Sequence, residues 1–207
     1  MSKKRILLAA AAALMASPAV AGPNLVTNGD FENSGLTDWT VHAWSTNLHG
    51  VISGNYSAST GCVGSFCIRN SDGSFNTAGG AYLYQDIPTV AGTLYTLTFD
   101  YGPGPGTTNE LVALFGGTTA FDGLDLSDTT QTYTIDNLLA TGDTTRLLFL
   151  GRQDPSWNRL DNISVVAQSV AGAVPEPATW SMMLLGFCGI GCAMRFRRKT
   201  AANVAAA

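Results

Sequence analysis

Lysine is absent from residues 23–173, although both ends of the chain contain it. The basic residues of this body are four arginines, against twelve aspartates and two glutamates, so its formal charge is −10. Binding to nucleic acid depends on basic side chains that neutralise phosphates. The body therefore lacks the charge that a nucleic-acid-binding protein needs, and we predict no nucleic-acid partner.

Catalytic motifs are equally scarce. The two histidines, His42 and His49, lie outside any H-E-x-x-H pattern, and neither a G-x-S-x-G elbow nor a phosphate-binding loop occurs. Asp122, Asp125 and Asp128 lie together, but with Gly and Ser between them they are typical of a solvated loop. A glycosidase needs two carboxylates at a defined separation, which spacing in sequence does not establish. We predict a non-catalytic body, with a glycan hydrolase built on these aspartates as the alternative.

Cysteine is rare in the body, where Cys62 and Cys67 are the two thiols. In an exported protein such a pair favours a local disulfide. A metal site is the weaker interpretation, because no further cysteine or nearby histidine completes it.

Long amphipathic helices are missing from the body, and short β-branched and aromatic runs separated by Gly, Pro, Asn and Asp take their place. In residues 94–101 apolar and polar side chains alternate, as in a half-buried strand. We predict an all-β fold, an antiparallel β-sandwich of the jelly-roll kind, over residues 22–167. The predicted strands are residues 39–44, 66–70, 81–86, 94–101, 110–115, 131–135, 146–150 and 162–167.

The N-terminal segment has the composition of a secretory signal. A basic start, an apolar run over residues 6–15 and the small-residue site Ala19-Val20-Ala21 follow in order. We predict that residues 1–21 are a signal peptide handled by the Sec translocon and signal peptidase. The body would then be exported.

The C-terminal segment predicts a membrane span. Residues 178–194 carry no charge, and at about 1.5 Å per residue they extend roughly 25 Å, enough for a short transmembrane helix. The basic residues that follow set the orientation, with residues 200–207 as a cytoplasmic tail. Residues 168–174 are small and uncharged, which predicts a linker.

This tail resembles the PEP-CTERM sorting signal, within residues 175–199. The resemblance implies recognition by an exosortase, a transient inner-membrane-anchored precursor, and delivery to the cell surface or extracellular matrix. The residues that carry it are Pro175, Glu176, Pro177, Trp180, Arg195, Arg197 and Arg198.

The body itself resembles galactose-binding-like β-sandwiches, including carbohydrate-binding modules, through residues 24–32 and the closing residues 160–165. The resemblance implies a structural calcium ion near the first and last strands. Glu32 and Asp161 are its predicted ligands, with Asp30 as an alternate. The alternative is that Asp30 caps the turn at Asn28 and Asp161 caps the start of a strand.

Aromatic side chains are the candidates for glycan binding, because sugars bind on aromatic platforms flanked by polar groups. The selected residues are Trp44, Tyr82, Tyr84 and Trp157. Trp157 has a second interpretation, as a lid packed on the edge of the core. We predict an envelope or matrix protein whose partner is an extracellular polysaccharide.

Overall fold

The computed structural model describes residues 22–46, 50–168 and 181–190, and divides the chain into two compact units, Met1–Gln168 and Ser169–Ala207. The described part of the first unit contains ten strands and one 3-10 turn, Ser65–Cys67. The strands are β1 Thr40–His42, β2 Ser45–Thr46, β3 Ala58–Thr60, β4 Tyr82–Pro88, β5 Leu94–Pro103, β6 Asn109–Phe115, β7 Thr118–Leu124, β8 Gln131–Leu139, β9 Thr144–Gln153 and β10 Asn158–Ala167.

The strands form two five-stranded sheets. The first sheet has the order β1-β4-β9-β6-β7, and the second has the order β2-β3-β10-β5-β8. Every pairing between these strands is antiparallel. The predicted all-β antiparallel sandwich is confirmed.

The core lies between the sheets and follows from alternation along the strands. In β5 the odd-numbered positions from Tyr95 to Tyr101 are buried, while the even-numbered ones are less so. Phe99 of β5 meets Phe149 of β9 edge to face, with ring centroids 5.5 Å apart. Each buried side chain of this size stabilises the fold by about 1.5–3 kcal/mol. The aromatic contact therefore joins the two sheets across the interior.

Five segments differ from the sequence prediction. Residues 66–70 were predicted as a strand, but the disulfide between Cys62 and Cys67 and the positive φ of Gly64 (97°) turn the chain there into the 3-10 turn. The short strands β2 and β3 and the edge strand β7 were not predicted. Residues 24–32, which resemble the opening strand and turn of galactose-binding-like sandwiches, form no strand. They are joined to β10 instead through Leu25 N–H, which donates to Val165 O at 2.9 Å.

In the second unit the structure describes a helix over residues 181–190, whose large apolar side chains are 53–74% exposed. Within the described residues, no helix combines the length and the apolar character that a membrane crossing requires. Of the predicted span 178–194, the structure describes residues 181–190. The predicted signal peptide, linker, sorting residues and cytoplasmic tail lie outside the described residues, apart from Gln168 in the linker.

Candidate functional site

The outer face of the first sheet is the surface turned away from the second sheet. Directly opposite residues of antiparallel strands point to the same side, so the register defines which side chains share this face. Tyr82 of β4 lies opposite Leu150 of β9, and Leu150 lies opposite Val112 of β6. A parallel row contains Tyr84, Leu148 and Leu114. The aliphatic members are no more than 5% exposed, so this apolar part of the face is covered by other parts of the protein.

One end of this face is covered by residues 62–80, which we call the covering segment. Its 3-10 turn packs against β9. Arg69 of the segment donates to Glu110 of β6 at 2.7 Å and to Asp122 of β7 at 3.0 Å. Burial raises the pKa of Glu110, and Arg69 opposes that rise. The covering segment therefore walls one end of the face and leaves the β1–β4 side open.

At the open side four planar groups follow one another, and we call them the planar row: His42, Tyr82, Tyr84 and Arg146. The rings of His42 and Tyr82 are stacked, with centroids 5.5 Å apart. The rings of Tyr82 and Tyr84 are 5.9 Å apart and tilted by 38°. The guanidinium carbon of Arg146 lies 3.9 Å from the centroid of Tyr84. Both tyrosines are half-buried, so the row is fixed in position and still accessible.

The two ends of the planar row are held by hydrogen bonds. Arg146 donates from Nε and Nη2 to the two carboxylate oxygens of Asp86, at 2.7 and 2.8 Å. These hydrogen bonds lower the pKa of Asp86. His42 Nδ1 lies 2.7 Å from Gly80 O, and since a carbonyl oxygen accepts, Nδ1 carries the proton. The geometry of the row is thus set before any ligand arrives.

The structure separates the four predicted glycan-binding aromatics. Tyr82 and Tyr84 meet in the planar row. Trp44 is 6% exposed in the core, where its indole packs so closely on Gly151 that a Cβ there would come within 2.7 Å of Trp44 Cζ2. Trp157 is half-buried in the loop before β10, and its ring lies against Gly61.

The three predicted calcium ligands contact protein donors. The Glu32 carboxylate accepts from Asn55 N, Asn55 Nδ2 and Tyr56 N, at 2.6–2.8 Å. These bonds, with that from the Asn55 side chain the strongest, lower the pKa of Glu32. Asp30 Oδ1 accepts from Glu32 N at 3.3 Å, and Asp30 lines an open depression of about 350 Å³.

Asp161 is fully buried at a β-bulge in β10. Its Oδ2 accepts from Ser53 N at 3.0 Å and from Ser57 Oγ at 2.9 Å, while Oδ1 accepts from Asn162 N at 2.8 Å. Burial raises the pKa of Asp161. Among the residues that the structure describes, no group of three or more His, Cys, Asp or Glu side chains is arranged to hold a metal ion. The calcium site stays a prediction.

The three aspartates of the hydrolase alternative take separate positions. Asp122 lies in β7, where a loop was predicted, and contacts Arg69. Asp125 follows the strand and accepts from Asn109 N at 3.3 Å through Oδ1. Asp128 is exposed in the β7–β8 connection. The structure therefore pairs Asp122 with Glu110, through Arg69, and not with the other two aspartates.

His42 and Arg146 were not selected from the sequence as members of a binding site. They are 40 and 62 residues from Tyr82 and Tyr84 along the chain, respectively, and only strand pairing brings them together. The one local signal was the alternation of Tyr82, Tyr84 and Asp86 on one side of a predicted strand.

Comparison with known proteins identifies the C-terminal segment. Residues 173–199 match the PEP-CTERM protein-sorting motif, which confirms the resemblance found in the sequence. The motif implies an exported protein that an exosortase sorts to the cell surface. No curated protein matches the chain.

Solved structures resemble the body in fold. TmCBM61, solved with beta-1,4-galactotriose, has 16% identity and a TM-score of 0.51, covering 70% of this chain and 99% of that module. The CBM22-1 xylan-binding domain of Paenibacillus barcinonensis Xyn10C has 13% identity and a TM-score of 0.49, covering 74% and 99%. The enzymatically active domain of bacteriophage CBA120 tailspike protein 4 has 14% identity and a TM-score of 0.49, covering 70% and 21%. At 16% identity the similarity to TmCBM61 shows the fold alone, a β-sandwich like that of this module.

Proposed function

We propose that this chain is an exosortase-processed protein of the cell surface or extracellular matrix whose β-sandwich binds polysaccharide without cleaving it. The planar row is the observation that carries the proposal. Sugar rings present C–H faces that stack on aromatic planes, and the surrounding polar groups bond to their hydroxyls. The row supplies both, at the open side of a face whose other end is closed by the covering segment.

The row also has the rigidity that binding sites need. Tyr82 and Tyr84 stand on a strand paired on both sides, and Arg146 is bound to Asp86. A site that is ordered before binding loses less conformational entropy when it takes up a ligand. Such a surface suits retention of a polymer chain.

The proposal is tested with residues 22–168, which form most of a compact unit with its own core. A glycan array identifies a neutral polysaccharide, and titration calorimetry measures its affinity. Tyr82→Ala and Tyr84→Ala each lower the affinity by about fivefold or more, since one stacked ring is worth about 1–3 kcal/mol by analogy with stacked bases. The control Tyr56→Ala, at an exposed tyrosine outside the row, leaves the affinity for the polysaccharide unchanged.

Two outcomes overturn the proposal. One is an array on which the wild-type body retains no polysaccharide. The other is release of reducing sugar that disappears in Asp125→Asn, because that result assigns the chain to the hydrolases.

A further inference from the structure

The arginines of the body are held by acceptors of the protein itself. Arg69 donates to Glu110 and Asp122, Arg152 donates to Asp154, and Arg159 Nε donates to the carbonyl oxygen of Gly102 at 3.4 Å. Arg146, the one cation in the planar row, is bound to Asp86. The body has no lysine that could replace them.

We propose that Asp86 is a specificity-determining residue, which masks Arg146 so that the planar row accepts uncharged polysaccharides and rejects polymers bearing carboxylate or phosphate groups. This inference rests on the proposed function and adds the chemical class of its ligand. Loss of the ion pair between Asp86 and Arg146 should therefore allow acidic polymers to bind.

The geometry of the pair supplies the mask. A guanidinium recognises a carboxylate or phosphate through two parallel N–H donors. In Arg146, Nε and Nη2 form such a pair of donors, and the two oxygens of Asp86 already occupy them. Asp86 lies directly opposite Arg146 in the β4–β9 register, so the backbone holds the partners together.

The position of Arg146 makes the mask relevant to binding. Its guanidinium stacks on Tyr84, within the row itself, and its side chain is 49% exposed. An acidic sugar that stacks beside Tyr84 would meet a neutralised arginine and the surplus negative charge of the body. A neutral sugar meets neither a repulsive charge nor an unpaired cation that must be desolvated.

Removing Asp86 should convert the site. In Asp86→Ala the Nε and Nη2 donors of Arg146 lose their carboxylate while Tyr84 still supports the guanidinium. An external carboxylate can then take the position of Asp86. We expect about tenfold tighter binding of an acidic polymer, the value of roughly one charge-assisted hydrogen bond.

The test compares polygalacturonate with its fully methyl-esterified form, two probes that share a backbone and differ in charge. Affinity electrophoresis of residues 22–168 measures the retention of wild type, Asp86→Ala, Asp86→Ala/Arg146→Ala and the control Asp128→Ala. The control removes one exposed negative charge outside the row, so it has the same net charge as Asp86→Ala.

The expected result is a gain of polygalacturonate binding in Asp86→Ala alone, which weakens as salt rises from about 0.1 M to about 0.5 M and is lost in the double variant. The inference is overturned if wild type binds polygalacturonate as tightly as Asp86→Ala does, or if Asp86→Ala and Asp128→Ala behave alike. Failure of wild type to bind any neutral polysaccharide overturns the proposed function instead, and the array described above detects it separately.

Discussion

The loop of residues 53–57 donates hydrogen bonds to two carboxylates from distant parts of the chain, Glu32 and Asp161. Asp161 is fully buried, and so is Ser57, one of its donors. We predict that Asp161→Ala is among the most destabilising single substitutions in the body. The reason is that it removes the acceptor of the buried Ser57 hydroxyl and of two part-buried backbone donors, Ser53 N and Asn162 N, while leaving those donors in place.

The magnitude follows from the hydrogen bonds. Ser53 N, Ser57 Oγ and Asn162 N donate to Asp161 at 2.8–3.0 Å. The buried Ser57 hydroxyl left without an acceptor costs about 1–3 kcal/mol, and each of the two part-buried backbone hydrogen bonds adds about 0.5–1.5 kcal/mol. Relief of the buried charge offsets part of the total. We expect a net loss of about 3 kcal/mol, which lowers the Tm by roughly 6–12 °C for a domain of this size.

Urea unfolding and calorimetry of residues 22–168 measure this loss. Ser57→Ala removes one donor and should cost about 1 kcal/mol, with a smaller further loss when Asp161→Ala is added. The control is Asp128→Ala, at an exposed position. Equal stability of Asp161→Ala and Asp128→Ala would refute the reasoning.

The same samples distinguish two roles for Glu32 and Asp161, hydrogen bonding to protein donors and binding of calcium. If Glu32 and Asp161 are held by protein donors, EDTA leaves the Tm of the wild type unchanged. A Tm that falls in EDTA and recovers with calcium would instead establish the ion that the sequence resemblance implies.

Three further predictions concern other parts of the chain. Cys62→Ser/Cys67→Ser should lose about 2 kcal/mol in urea unfolding, the chain-entropy value for so short a loop, and dithiothreitol should lower the wild type to the same level. Arg146 lowers the pKa of Asp86 in the folded state. The stability that this pair contributes is therefore present above the pKa of Asp86 in the unfolded chain, about 3.9, and is lost as the pH falls through the pKa of Asp86 in the folded protein. In Asp86→Asn the Tm should therefore fall less steeply at acid pH than in the wild type. An unchanged dependence of Tm on pH would contradict this prediction. Replacing Pro175, Glu176 and Pro177 with alanine should leave an unprocessed precursor in membrane fractions on immunoblots, whereas normal processing would count against exosortase recognition.

Burial of Asp161 and Glu110 changes the stability at acid pH in the opposite direction to the Asp86–Arg146 pair. Because burial raises the pKa of each carboxyl, protonation favours the folded state, and both groups add stability as pH falls through their folded pKa values. The slope of the wild-type plot of Tm against pH is thus the net result of opposing contributions, from Asp86 on one side and from Asp161 and Glu110 on the other. The effect of Asp86→Asn is best measured as a change from wild type in that slope.

Local patterning was enough to predict the strands that form the centre of each sheet. The alternation in residues 94–101 predicted β5, because a strand with one face in the core shows a period of two. β7 escaped prediction because its sequence, TTAFDGL, lies at the edge of a sheet and is largely exposed, so no alternation marks it. Residues 66–70 have strand-forming composition, but closure of the adjacent disulfide imposes a turn. Covalent and edge effects therefore account for the principal errors.

The candidate site was predictable only where it is local. Tyr82 and Tyr84 alternate on one strand, and their common face follows from that spacing. Trp44 belongs to the same compositional class, yet it lies in the core because the chain crosses there from β1 in one sheet to β2 in the other. Arg146 joins the row through the β4–β9 register, which depends on contacts between distant segments. Residue type alone does not distinguish these environments.

The described body ends in the sheet that does not carry the planar row. The described chain leaves the body after β10, in the second sheet, where Gln168 N donates to Leu94 O at 2.8 Å. The planar row belongs to the first sheet and faces away from the second. The last described residue of the body, Gln168, and the planar row therefore belong to different sheets of the sandwich, and the hydrogen bond that holds Gln168 N involves no residue of the row.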